Sequence, residues 1–110
     1  MGLSAPPTAI VSWSDVMAIN IVELLKIMDI RVPEDISLIG YDDIDFLPLL
    51  NVPLTTISIP KYQMGIKAAE ILLDRIENAR KGPPEKILLK SNLIVRNSTA
   101  PPGRKIKIMK

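Results

Sequence analysis

Residues 31–46, "RVPEDISLIGYDDIDF", decide how the rest of the chain is read. Pro33 breaks the preceding segment, and Ile36–Gly40 follows as a short, nearly continuous apolar run. A run of that kind suits a strand buried on both faces, as strands of parallel sheets are. Directly after it come Asp42, Asp43 and Asp45. In open parallel α/β sheets, ligands gather beyond the carboxyl ends of the strands. This one stretch therefore proposes both a fold class and a place for a ligand.

Working outward, the residues on the amino-terminal side fit a strand followed by a crossover helix. A β-rich run covers Thr8–Ser12, and Ser14 and Asp15 then supply the polar start signal of a helix over Val16–Ile30. Asn20, Glu23 and Lys26 form its single polar stripe, and nearly everything else in it is aliphatic or Met. A helix on a protein surface needs an apolar arc of only about 100°. This one is apolar over much more, so it is expected to be covered by a sheet on one side and by a second surface on the other.

On the carboxyl-terminal side, residues 42–54 read as loop with one helical turn, and "TTISI" (55–59) is a third strand stopped by Pro60. Tyr62–Lys81 is the clearest amphipathic helix, with Met64, Ala68, Leu72 and Ile76 on one face. Arg80 and Lys81 suit the negative end of its dipole, and Gly82–Pro83 close it. "KILLK" (86–90) and "NLIVRN" (92–97) are two further expected strands. Strands alternating with helices give an α/β domain with a mainly parallel sheet. Residues 1–7 read as a start and linker, 8–100 as the domain, and 101–110 as a disordered basic tail.

Composition closes several function classes. The chain has 110 residues, 47% of them hydrophobic, and a formal net charge of +2, which does not point to nucleic acid as its main partner. It has no Cys and no His. That removes a thiolate nucleophile, a Ser–His–Asp triad and the commonest metal ligands, so no cofactor or metal is expected. The glycines stand singly and draw no phosphate-binding loop. Paired carboxylates suggest a glycosidase, but candidates on one sheet edge offer no opposite wall for an acid–base pair. No apolar run is long enough for a membrane span and the start lacks a secretory signal, so a cytoplasmic, non-enzymatic protein is expected.

Two polar clusters qualify as a ligand site. Trp13, Ser14 and Asp15 follow the first strand, and Asp42 follows the second. A right-handed βαβ unit would set those strands side by side. An aromatic plate beside a carboxylate suits a hydroxyl-rich small molecule, since ionised Asp accepts hydrogen bonds and Trp covers the apolar face of a ring. The bland readings run alongside: Ser14 or Asp15 as an N-cap, Trp13 as rim packing, and Asp43 and Asp45 as solvated loop or cap residues.

From Pro7 to Pro102 the chain closely resembles the C-terminal part of lactose-repressor-type transcriptional regulators. The most specific pieces are "RVPEDISLIGYDD", "PLTTISIPKYQMG" and "LIVRNSTAPP". The resemblance implies part of a type I periplasmic-binding-protein-like domain, mostly its C-terminal subdomain, with residues 60–81 crossing to the other subdomain. It implies that Asp42 touches a small-molecule effector, expected to be a sugar, and that Ser14 stands where an Asn is usual, beside Trp13. It also implies a homodimer in which Ile19 and Leu50 make contact.

The helix-turn-helix and the first subdomain of such regulators are not represented in these residues, and "MGLS" reads as an imposed start. The expectation is therefore a fragment that does not itself bind DNA, with operator recognition left to a full-length parent. A fragment of a transporter's sugar-binding protein, or an inactive truncated scaffold, are the alternatives.

Overall fold

The structure is a computed structural model that describes residues 4–102. The chain divides into two compact units. One comprises the residues up to Ser58 together with those from Asn92 onward, and the other comprises Ile59–Ser91.

The first unit is built on a four-stranded sheet in the order β1 (Ala9–Val11), β2 (Ser37–Asp42), β3 (Thr55–Ser58), β4 (Asn92–Ile94). β1–β2 and β2–β3 are parallel, with Val11 opposite Ile39 and Asp42 opposite Ser58. β4 is antiparallel to β3, with Ser58 opposite Asn92. The mainly parallel α/β architecture expected from the sequence is therefore present, and the first three strands end at the same edge.

Helix α1 (Asp15–Ile27) makes the crossover between β1 and β2. Ser14 is its N-cap, with Oγ accepting from the Met17 amide at 3.2 Å. The helix closes three residues before the expected Ile30. Asp29 adopts φ 57°, its amide donates to Lys26 O at 3.1 Å, and the Ile30 amide donates to Leu25 O at 2.9 Å. Those two bonds form a Schellman closure with Asp in the left-handed position that glycine usually fills. Ala18 and Leu25 of α1 join Val32, Ile36, Leu38, Leu47 and Leu54 in the buried core. Val16, Met17, Leu24 and Ile27 remain exposed. The sheet thus covers only part of the apolar surface that the sequence wrote into this helix.

The motif "RNSTA" (96–100) runs beside the amino-terminal end of β2, where β3 supplies no partner. The Leu38 amide donates to Ser98 O at 2.8 Å, while Ser98 Oγ donates to Leu38 O at 2.6 Å and accepts from the Thr55 amide at 2.8 Å. Ser37 Oγ donates to Ala100 O and accepts from the Ala100 amide, both at 3.0 Å. Buried backbone groups need such partners, and here serine side chains provide them.

In the second unit, α2 (Lys61–Ile76) ends five residues before the expected Lys81. The cause is again a left-handed polar residue. Asn78 has φ 58°, its amide donates to Arg75 O at 3.2 Å, and the Ala79 amide donates to Asp74 O at 2.9 Å. None of the α2 residues is buried, and Tyr62, Leu72, Leu73 and Ile76 are at least half exposed. The strand expected at "KILLK" (86–90) is not formed. A strand exists only where a neighbour accepts its ladder, and among the described residues none pairs with this segment. Of the basic tail, residues 103–110 lie outside the described residues, as do residues 1–3 of the expected linker.

Candidate functional site

The carboxyl ends of β1, β2 and β3 form one edge of the first unit, and the segments leaving them carry the candidate side chains. β1 passes into Ser12, whose amide donates to Ile39 O at 2.8 Å. The next residue, Trp13, is 86% exposed. A tryptophan normally contributes a large apolar area to a core or an interface. Here almost all of that area faces solvent at the sheet edge. Ser14 follows, half-buried, with its Oγ already accepting the Met17 amide.

Asp42 ends β2 on the same edge, half-buried, with φ 114°. Asp43 follows with φ 57°. Two successive non-glycine residues at positive φ are costly, and such backbone persists only where the surroundings over-determine it. Those surroundings are visible. Asp43 was expected as a solvated loop residue, but its Oδ1 accepts from Arg96 Nη2 at 2.9 Å with both side chains largely buried. Arg96 Nη1 also donates to Leu54 O, and its amide donates to Thr55 Oγ1, both at 2.9 Å. Asp45 is exposed, in keeping with a loop residue.

Asp15, the fourth candidate, is wholly buried. Its Oδ1 accepts from Thr56 Oγ1 at 2.6 Å and its Oδ2 from the Ile44 amide at 3.0 Å. Both bonds cross elements, from the start of α1 to β3 and to the turn after β2. The reach over β2 is open because residue 40 is glycine. Asp15 is thus spatially part of the edge but presents no surface there. Ser58 and Asn92, opposite one another at this edge, were not singled out in the sequence. Nor were Thr56 and Arg96, although a lone Arg inside the apolar run "NLIVRN" is a signal that a partner waits in the fold.

Ile19 and Leu50 are brought together elsewhere. Both are half-buried and both line a cavity of about 570 Å³ between α1 and the segment after the 3-10 turn Leu47–Leu49. Val22, Glu23, Lys26 and Val52 share that lining. The cavity is not at the strand ends, so its size alone does not make it the ligand site. Among the described residues no group of three or more acidic side chains converges to hold a metal ion, and no helix is long and apolar enough to cross a membrane.

A family model described as a periplasmic binding protein-like domain matches residues 1–99. The chain belongs to that family. Within it the domain is of the LacI regulator type. It is 43% identical over 93 residues to the arabinose metabolism transcriptional repressor of Geobacillus stearothermophilus, a match covering 84% of this chain and 26% of that protein. It is 40% identical over 99 residues to the HTH-type transcriptional repressor CytR of Escherichia coli K12, covering 90% of this chain and 29% of that protein. Among solved structures, a LacI family transcriptional regulator from Enterococcus faecium with bound ribose superposes with a TM-score of 0.75 at 37% identity. That match covers 86% of this chain and 35% of the regulator. The chain therefore spans between a quarter and about a third of the lengths of these relatives.

Proposed function

We propose that this domain supplies one wall of a sugar-binding effector site in a cytoplasmic transcriptional repressor. The observation that carries the reading is the exposed Trp13 at the same sheet edge as Asp42. Trp13 would cover the apolar face of a sugar ring while the Asp42 carboxylate accepts from its hydroxyls. Ser14 follows Trp13 as the N-cap of α1, and its hydroxyl reaches less far than an amide would. Asp15 serves the same edge from beneath. The names of the relatives, which are repressors, support this reading over a transport protein.

The same reading makes the α1 face a homodimer surface, in which a second subunit covers Ile19 and Leu50. The exposed Val16, Leu24 and Ile27 support it, because a monomer has no use for that apolar area. The exposed apolar face of α2 supports the assignment of residues 60–81 to another subdomain. DNA operator binding would belong to the whole regulator, not to this domain.

Amide-resolved NMR titration with ribose, arabinose and cellobiose tests the effector site. One of these sugars should shift the Trp13 indole and the Asp42 amide, and Asp42→Ala should abolish the shift. Equal responses in Asp42→Ala and the unmodified chain would overturn the assignment. Light scattering tests the dimer: Ile19→Arg and Leu50→Arg should each halve the mass of an otherwise dimeric chain.

A further inference from the structure

We infer that Asp15 and Arg96 are positioning residues for Asp42, fixing from two flanks the turn that aims its carboxylate. The inference rests on the reading of Asp42 as a ligand contact and adds the residues through which that contact is set. The turn Asp42–Ile44 leaves β2 with two consecutive non-glycine residues at positive φ, 114° and 57°. Such a turn relaxes unless its neighbours over-determine it. Two bonds hold the residues that follow Asp42. Arg96 Nη2 donates to Asp43 Oδ1 at 2.9 Å, and the Ile44 amide donates to Asp15 Oδ2 at 3.0 Å.

Each anchor is itself tied to β3, the neighbouring strand. Asp15 Oδ1 accepts from Thr56 Oγ1 at 2.6 Å, and the Arg96 amide donates to Thr55 Oγ1 at 2.9 Å. Arg96 Nη1 donates to Leu54 O, just before the strand, also at 2.9 Å. Asp15 is fully buried, and a buried carboxylate taken out of water must have its lone pairs satisfied. It also sits two residues after Trp13, so the same side chain fixes where the helix start lies against the turn. One oxygen is satisfied in the core by Thr56, and the other holds the amide two residues beyond the proposed contact. The guanidinium can serve two acceptors in fixed directions, which the single ammonium of lysine cannot.

The test uses the full chain in three variants, Asp15→Ala, Asp15→Asn and Arg96→Gln. The readouts are hydrogen exchange of the Ile44 amide, the HN–Hα couplings of Asp42 and Asp43, and titration with ribose. Asp15→Ala should lower Ile44 protection by at least about tenfold while β1–β3 amides keep theirs. The couplings of Asp42 and Asp43 should move away from their positive-φ values. Asp15→Asn, whose amide oxygen still accepts from Ile44, should restore most of the protection. Arg96→Gln should move the Asp43 coupling with little effect on Ile44.

If Asp15→Ala does not fold, Asp15→Asn and Arg96→Gln decide the matter by the same couplings. Unchanged couplings and unchanged Ile44 protection in a folded variant would overturn the inference. So would a uniform loss of protection across the sheet. Where the unmodified chain binds ribose, the folded variants with altered couplings should bind at least about tenfold more weakly. A chain that shows the coupling changes but binds no sugar would count against the effector reading and not against the geometry of the turn.

Discussion

A Cβ atom placed on Gly40 would lie 2.1 Å from Oδ1 of Asp15. No real Cβ tolerates that approach, and the carboxylate cannot retreat without releasing Thr56 and the Ile44 amide. Leu54 Cδ2, at 2.9 Å, would be a second clash. Gly40→Ala should therefore destabilise the chain by about 2–3 kcal/mol, as overpacking of a filled interior does. Urea unfolding of the two proteins measures it, and a loss below about 0.5 kcal/mol would show that the contact yields.

Asp42 allows its backbone and its carboxylate to be separated. Asp42→Gly and Asp42→Val both remove the carboxylate, but only glycine accepts φ 114° without steric cost. The valine variant should be less stable than the glycine variant by about 2 kcal/mol, the usual penalty for a left-handed conformation in a residue with a Cβ. Both should lose any sugar response. Equal stabilities would mean that the turn relaxes freely.

Ser98 joins the two central strands where they lack each other. Ser98→Ala would leave the Leu38 carbonyl and the Thr55 amide without their partner in a fully buried site. The expected cost is about 2–4 kcal/mol, well above an ordinary surface substitution. A thermal or urea melt reads it directly.

The Arg31–Asp35 pair sets an acid limb. The side-chain hydrogen bond from Arg31, followed by the one from its backbone amide, holds the Asp35 carboxyl below its ordinary value. A carboxyl lowered in the folded state adds stability that is fully present above the ordinary value, near pH 4, and is lost as pH falls through the folded value. The stability gap between the unmodified chain and Asp35→Asn should be open at pH 7 and close on acidification. It should also narrow in 1 M salt, because the pair faces solvent. A gap independent of pH would show that the carboxylate charge contributes nothing.

The strand–helix order, the apolar β2 segment and the amphipathic α2 were legible because they depend on local periodicity alone. Helix ends were misjudged by three to five residues. Asp29 and Asn78 close the helices by adopting positive φ, which residue type permits but does not announce. The strand at 86–90 failed for a different reason, since pairing is a property of a neighbour and "KILLK" carries no record of whether it has one. Trp13 and Asp42, the proposed ligand contacts, were read from their position after strands, and both lie at the strand-end edge. The partnership of Asp43 with Arg96, 53 residues away, could not be read that way.

Local features of the chain are enough to specify a parallel α/β unit whose strands end in an aromatic residue and a run of carboxylates. They suffice because burial period, helix start signals and strand-end polarity are all short-range properties of the chain. Where each carboxylate comes to lie, and against what, emerges only on folding. Folding buries Asp15 under Gly40, pairs Asp43 with Arg96, and leaves Asp42 at the edge in a turn its neighbours hold. Those assignments depend on which distant groups meet once the strands are side by side, and the electrostatic and steric demands of a buried carboxylate exist only in that arrangement.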